Sequence, residues 1–186
     1  MSTLWQECGS QPVVTDATLK RYLRMPARRP FSPPLQEAGD WARGWFRDHA
    51  RPWTCAVEAD EQLRQWLAPR FPDANRLVVV AVSAGPEAEA EAAARFAADE
   101  PDRYYFLECL ASAVVDTLLA TARVRLGVER HHCPGYPGWP IEDNVPLLAA
   151  VGRLTTLPGP LDVLSSGMLK PKKSQLAVCV PTFRHE

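Results

Sequence analysis

Two adjacent imidazoles, a thiol and a phenol lie within six residues of this chain, at His131, His132, Cys133 and Tyr136. Histidine titrates near neutral pH, and a thiolate or phenolate also accepts a proton, so this group could supply a general base. The four residues belong to the stretch 130–140, RHHCPGYPGWP, which holds three prolines and two glycines. That proline density excludes a helix or a central strand, and it predicts an ordered loop whose glycines let the backbone approach a ligand closely.

Metal binding is not expected from this group. Adjacent residues point in different directions, and neither a C-x-x-C nor an H-x-x-x-H spacing supplies further zinc ligands. The chain has five cysteines in widely scattered positions, which argues against a disulfide framework. Cys133 is set apart by its place in the loop, and Cys8 lies near the N-terminus. The other three stand in apolar contexts and are expected to be small core residues: Cys55, Cys109 and Cys179.

The loop follows a long apolar segment that is predicted to be the longest helix. Apolar residues recur there at three- and four-residue spacing over residues 104–126. A continuous β-branched run at 76–83 predicts a strand buried on both faces. Residues 1–14 are expected to be irregular. The remaining predicted elements are helices at 16–24, 34–49, 61–67, 86–98 and 145–154, and strands at 54–58, 161–164 and 175–180.

Helices and strands mix without strict alternation, which predicts an α+β fold and not a doubly wound sheet. At 186 residues the chain fits one domain at 31–186, with residues 1–30 as an N-terminal extension that packs on it. A net charge of -1 and a pI near 6.4 disfavour nucleic acid and membrane surfaces as partners. No apolar run reaches 18 residues and the first twelve lack signal-peptide features, so a soluble, cytoplasmic protein is expected.

Four segments carry a more specific signal: VVVAVSAGP at 78–86, FLECLASA at 106–113, PGYPGWPIEDN at 134–144 and SSGMLKPKKS at 165–174. In this order they resemble the C-terminal reactivation (activation) domain of cobalamin-dependent methionine synthase, which binds S-adenosylmethionine (SAM). The third segment is close to the P-G-Y-x-x-W-P-x-x-D-Q form of single-domain relatives. The resemblance implies a single α+β domain with a twisted, mainly antiparallel sheet flanked by helices, and a SAM groove across the loop.

The resemblance also implies which residues hold SAM. Glu108 on the long helix would pair with the α-ammonium, and the Pro134-Gly135 backbone would lie close to the ligand. Tyr136 and Trp139 could stack on the adenine or the sulfonium. The other SAM-binding candidates are Arg130, His131, Cys133 and Ser165. The alternative for Glu108 is an exposed glutamate that the dipole favours near the start of its helix.

The chain departs from the family pattern at two places in this groove. Five residues before the tyrosine, where the family has an arginine, this chain has His131, and Ser165 replaces a glutamate in the last loop. Histidine cannot offer the bidentate fork of a guanidinium, so either Arg130 turns inward or SAM is held differently. The lysines at 170, 172 and 173 are interpreted as a solvated loop or as a docking surface for an acidic partner.

Two functions follow from such a groove. The first is a module that presents SAM for reductive methylation of a cobalamin on a separate corrinoid protein, with flavodoxin as electron donor. The D-x-H-x-x-G cobalamin-ligand motif does not occur in the chain, so cobalamin would be met only through that partner. The second is a self-sufficient lyase that cyclises SAM to 1-aminocyclopropane-1-carboxylate and releases methylthioadenosine, with His131, His132, Tyr136 or the Cys133 thiolate as base. A small-molecule methyltransferase is a third alternative; the partner-dependent module requires the fewest new assumptions.

Overall fold

The computed structural model of the protein describes residues 3–181. A 3-10 turn at Ile141–Asp143 precedes the last helix. The elements follow in the order β1 (Thr3–Cys8), α1 (Asp16–Tyr22), α2 (Pro33–His49), β2 (Trp53–Glu58), α3 (Glu61–Leu67), β3 (Val78–Ser83), α4 (Pro86–Ala97), α5 (Pro101–Leu126), β4 (His131–His132), α6 (Asn144–Leu154), β5 (Asp162–Val163), β6 (Leu169–Lys170) and β7 (Ser174–Cys179).

Five of the strands form one sheet in the order β1-β2-β3-β7-β4. Every neighbouring pair in it is antiparallel. The short strands β5 and β6 pair separately as a second, two-stranded sheet. The prediction of an α+β domain with a mainly antiparallel sheet flanked by helices is confirmed.

Helices cover both faces of the sheet, and β3 shows why. Val78, Val80 and Val82 point into a core layer shared with α1, α2, α4 and α5. Val79 and Ala81 point into the opposite layer, which α3, α6 and β6 complete. All six residues of β3 are buried, as the continuous β-branched run predicts.

The helix α5 is the main element of the first layer. It begins at Pro101, three residues earlier than predicted, because proline suits the first turn of a helix. It ends at Gly127, whose φ of 66° is the left-handed conformation that glycine adopts readily. Of the helices in residues 3–181 it alone is long and apolar enough to cross a membrane, but it is a core helix with most of its apolar side chains buried.

The prediction of irregular structure for residues 1–14 is wrong for residues 3–8, which form the edge strand β1. Its sequence, TLWQEC, lacks the alternation that marks a strand, so the pairing with β2 supplies its order. A contact from α5 adds to this: Arg125 lies 4.4 Å from the Trp5 ring centroid and bonds Glu7 at 2.6 Å. Residues 3–22 therefore contribute a strand to the sheet and a helix to its first layer.

Candidate functional site

The proline-rich stretch is part strand and part loop. His131 and His132 pair with Cys179 and Val178 at the free edge of the sheet, whereas a loop throughout was predicted. This is possible because the first proline of the stretch comes only at position 134, so both histidines keep the backbone N–H that a strand needs for pairing. From there the chain turns twice, through Gly135 at φ 89° and Gly138 at φ 83°. Backbone bonds from Gly135 N to Trp139 O (2.9 Å) and from Trp139 N to Tyr136 O (2.9 Å) close the loop.

Strand geometry sends the two imidazoles to opposite faces of the sheet. His131 lies opposite Cys179, whose side chain belongs to the α5 layer. Successive residues of a strand alternate faces, so His132 lies on the other face, where its ring meets the Phe71 ring edge-on at 5.2 Å. The two histidines therefore cannot act on one atom.

A polar cluster forms around Tyr136 on the α5 side. The amide of Gln175 donates to the Tyr136 hydroxyl at 3.1 Å and to Cys133 Sγ at 3.1 Å. His131 Nε2 lies 3.4 Å from the same hydroxyl. Tyr136 as a whole remains 46% exposed, so part of this residue is accessible to a ligand. We call His131, Cys133, Tyr136 and Gln175 the Tyr136 cluster.

Burial sets the protonation of this cluster. Burial, together with the positive charge of Arg123, lowers the pKa of His131, so the imidazole is neutral at neutral pH. Burial raises the pKa of Cys133 to about 12, even though Gln175 donates to its sulfur. The Cys133 thiol is therefore protonated, and it is an inert core group with no thiolate to act as a base.

A second cluster forms around Glu108 on α5. Lys172 Nζ lies 2.8 Å and Lys173 Nζ 3.3 Å from its two carboxylate oxygens, and the Glu108 side chain is only 15% exposed. The hydrogen bond to Glu108 raises the pKa of Lys172. Lys172 is exposed, as the interpretation of a solvated loop implies, but both lysines are also ion-paired to the residue that sequence analysis selects for a ligand ammonium. We call these three residues the Glu108 cluster.

Strand β7 joins the two clusters. Lys173 and Gln175 are two positions apart, which corresponds to about 7 Å of extended chain. Ser174 lies between them and bonds Ser83 Oγ at 2.8 Å. A pocket of about 190 Å³ opens beside this segment; it is lined in part by Lys172, Gln175 and Pro134 but not by the central residues of the two clusters. We call the two clusters together the edge site; it has an ionic group at one end and an aromatic side chain at the other.

Trp139 lies in the core beneath the loop. It is 6% exposed, and its Nε1 donates to Asp143 at 2.7 Å. The guanidinium of Arg70 covers its ring at 4.9 Å and also bonds Asp143 at 2.9 Å. A polar pocket of about 300 Å³ lies on this side of the loop and is lined in part by Phe71, Tyr136 and Trp139. These contacts describe an anchor that holds the loop on the domain and leaves little ring surface for a ligand.

The remaining candidates lie around the loops. Arg130 is exposed, just before β4, and Ser165 is exposed in the turn that precedes Gly167. That turn is fixed by Asn144, whose Nδ2 donates to Gly167 O at 2.9 Å. Pro134 is buried at the wall of the smaller pocket, and Gly135 is exposed. Among residues 3–181, no group of three His, Cys, Asp or Glu side chains is placed to hold a metal ion.

Three residues of the edge site were not assigned to ligand binding from the sequence: Gln175, Lys172 and Lys173. A polar residue at the start of a predicted strand and a basic loop carry no special signal. One cue was available for Gln175. It shares a strand face with Ala177 and Cys179, so an amide there must find a partner at the edge of the core.

The fold is that of the methionine synthase reactivation domains, as predicted from the four segments. The structure matches the crystal structure of the MetH reactivation domain bound to AdoHcy (S-adenosylhomocysteine) with a TM-score of 0.63, over 98% of this chain and 81% of that one. Sequence identity in this match is 13%, so the likeness is one of fold. No protein-family model and no curated protein sequence matches the chain.

Proposed function

We propose that this protein binds SAM or AdoHcy along the edge site. The observation that carries the proposal is the fold match to a domain solved with AdoHcy, which extends over 98% of this chain. The chemistry of the edge site supports it. The ligand has an amino-acid end and an adenosyl end, and the site has an ionic cluster at one end and a half-exposed tyrosine at the other.

In this proposal Glu108 binds the α-ammonium of the ligand. Its carboxylate is largely shielded from water, which strengthens a charge-assisted hydrogen bond. Tyr136 packs against the adenosine or the sulfonium with its open ring face, while Gln175 and His131 fix its hydroxyl. Pro134 and Gly135 form the wall that the ligand passes. Trp139 acts only through the loop that it anchors.

Isothermal titration calorimetry of the purified chain with AdoHcy and with SAM tests this proposal. We expect one site per chain, and the melting temperature should rise with ligand because only the folded state binds. ATP serves as a control, since it shares the adenosine but carries a polyanion in place of the amino-acid end. Absence of heat and of a melting shift with both ligands, on protein that melts cooperatively, would refute the proposal.

We propose further that bound SAM serves as methyl donor to a cobalamin on a separate corrinoid protein. The supporting observation is again the fold match, since the matched domain is a reactivation domain. The test mixes this protein, SAM with an isotopically labelled methyl group, and a candidate corrinoid protein in the cob(II)alamin state with reduced flavodoxin. Labelled methylcobalamin that forms only when all components are present is the expected result; formation at the same rate without this protein would contradict it.

One observation favours a second candidate, the lyase. His131 is held neutral beside the Tyr136 hydroxyl, and a neutral imidazole can take a proton. That reaction requires SAM in the reverse orientation, with its amino-acid end at the Tyr136 cluster. His131 then removes the α-proton of SAM, the Cα–Cγ bond forms, and the Cγ–S bond breaks to release methylthioadenosine. Incubation with SAM alone, followed by chromatography for methylthioadenosine, separates the two candidates. A product absent from wild type, or undiminished in His131→Gln, removes His131 as the base.

A further inference from the structure

The Glu108 cluster holds more positive charge than Glu108 alone requires. Lys172 and Lys173 bind the two oxygens of one carboxylate, at 2.8 Å and 3.3 Å. The other nearby acid, Glu89, accepts the backbone N–H of Lys172 at 2.8 Å, and its charge also acts on the Lys172 ammonium, but the ion pairs of both lysines are with Glu108. One carboxylate is thus shared between two ammonium groups.

The lysine segment is fixed in place by its backbone. Glu89, on α4, accepts a hydrogen bond from the backbone N–H of Lys172. The carbonyl of Lys173 accepts one from Ala84 N at 2.9 Å, just after the end of β3. Ser174 then enters β7 opposite Ser83. The two side chains therefore project from a rigid base at the mouth of the edge site. The Lys172 side chain is 40% exposed and so has room to change partners, whereas the Glu108 side chain is only 15% exposed.

We propose that Lys172 and Lys173 bind the α-carboxylate of the ligand while Glu108 binds its α-ammonium. This inference rests on the proposed function and names the groups that select the amino-acid end. The two ion pairs already place a negative charge beside positive charges, as a site for a zwitterion requires. When the ligand enters, its ammonium replaces one lysine on Glu108, and its carboxylate pairs with the lysine released.

Charge balance is the physical reason for this exchange. If a ligand with only an ammonium group bound Glu108, a lysine would lose its carboxylate partner and lie unpaired beside another positive charge. In a partly shielded site such an unpaired charge is costly. A zwitterion avoids this cost because each charge of the ligand finds an opposite charge already in place. His131 cannot supply the positive charge instead, since it is held neutral on the far side of Gln175. The lysines are therefore the carboxylate-binding groups of the edge site.

Two ligands that differ only in the carboxylate test the inference: SAM and decarboxylated SAM. Both carry the sulfonium, the terminal ammonium and the adenosine. Calorimetry with wild type should give at least tenfold tighter binding of SAM, or about 1.4 kcal/mol. In the double variant Lys172→Gln/Lys173→Gln that preference should fall below threefold, mainly because SAM binds more weakly. Lys170→Gln removes the same charge from the same loop, outside the Glu108 cluster, and should leave the preference unchanged.

Each outcome has a distinct meaning. Equal affinity of the two ligands for wild type, or a preference that survives in the double variant, overturns the inference while the proposed function stands. No binding of either ligand to folded wild type refutes the proposed function, and this inference with it. Melting curves check that the variants fold. If the double variant does not, the single variants Lys172→Gln and Lys173→Gln replace it, and an undiminished preference in both overturns the inference.

Discussion

Replacement of Trp139 by alanine tests whether the second aromatic of the loop is an anchor or a ligand contact. Its side chain is 6% exposed and packs in the core layer with α3 and α6. Truncation of a buried tryptophan to alanine typically costs about 3–5 kcal/mol, through lost transfer free energy and the cavity left behind. The hydrogen bond to Asp143 adds little to this, because Arg70 continues to pair with that carboxylate. We therefore expect a loss of about 3–5 kcal/mol in unfolding free energy.

Tyr136→Ala is the matched comparison in the same loop. Tyr136 is 46% exposed, so the unfolding free energy should fall by about 1 kcal/mol or less, the scale of one net hydrogen bond. Its effect on AdoHcy affinity should be the larger one, about 1–3 kcal/mol, because an open aromatic face is lost. Trp139→Phe, which keeps much of the volume, should fall between wild type and Trp139→Ala in stability and should retain AdoHcy binding.

The assay is urea unfolding followed by far-UV circular dichroism, with linear extrapolation to water. Tryptophan fluorescence is unsuitable because the chain has six tryptophans. Calorimetry with AdoHcy follows on each folded variant. A Trp139→Ala variant that stays within about 1 kcal/mol of wild type yet loses AdoHcy binding would refute the anchor role, since Trp139 would then be a ligand contact.

Three further predictions concern charge and protonation. Glu108→Gln leaves two ammonium groups facing a neutral amide, so we expect a loss of about 1–3 kcal/mol in unfolding free energy together with weaker AdoHcy binding; unchanged values of both in urea titration and calorimetry would contradict this. The pKa of His131 is lowered in the folded state, so the unfolded chain binds the proton first. Stability should therefore fall as pH drops below 6.5, and urea midpoints of His131→Gln should lack that part of the pH dependence. Iodoacetamide at neutral pH should modify Cys8 alone in the native protein, because the other four thiols are buried; mass spectrometry that finds native-state modification at Cys133 would contradict the burial.

The sequence by itself determined the elements that have a strong local pattern. The β-branched run of β3 predicts a strand buried on both faces, because its apolar residues are continuous and do not alternate with polar ones. The apolar spacing of α5 and the prolines that open α2, α4 and α6 predict the main helices, since proline fixes φ at the first turn. Four short segments, in the same order as in the methionine synthase reactivation domains, predicted the fold, and the structural match confirms it.

Only the tertiary structure decided what the candidate residues touch. The adjacent residues His131 and His132 look equivalent in the sequence, but the pairing of β4 with β7 places their side chains on opposite faces of the sheet. Cys133 and Trp139 look like ligand contacts in a loop until the packing of α5 and Phe71 buries them. The pairing of Glu108 with Lys172 joins positions 64 residues apart, and no local pattern encodes it. A residue's type limits the chemistry it can do, but burial and the charges brought beside it by folding determine which chemistry remains available.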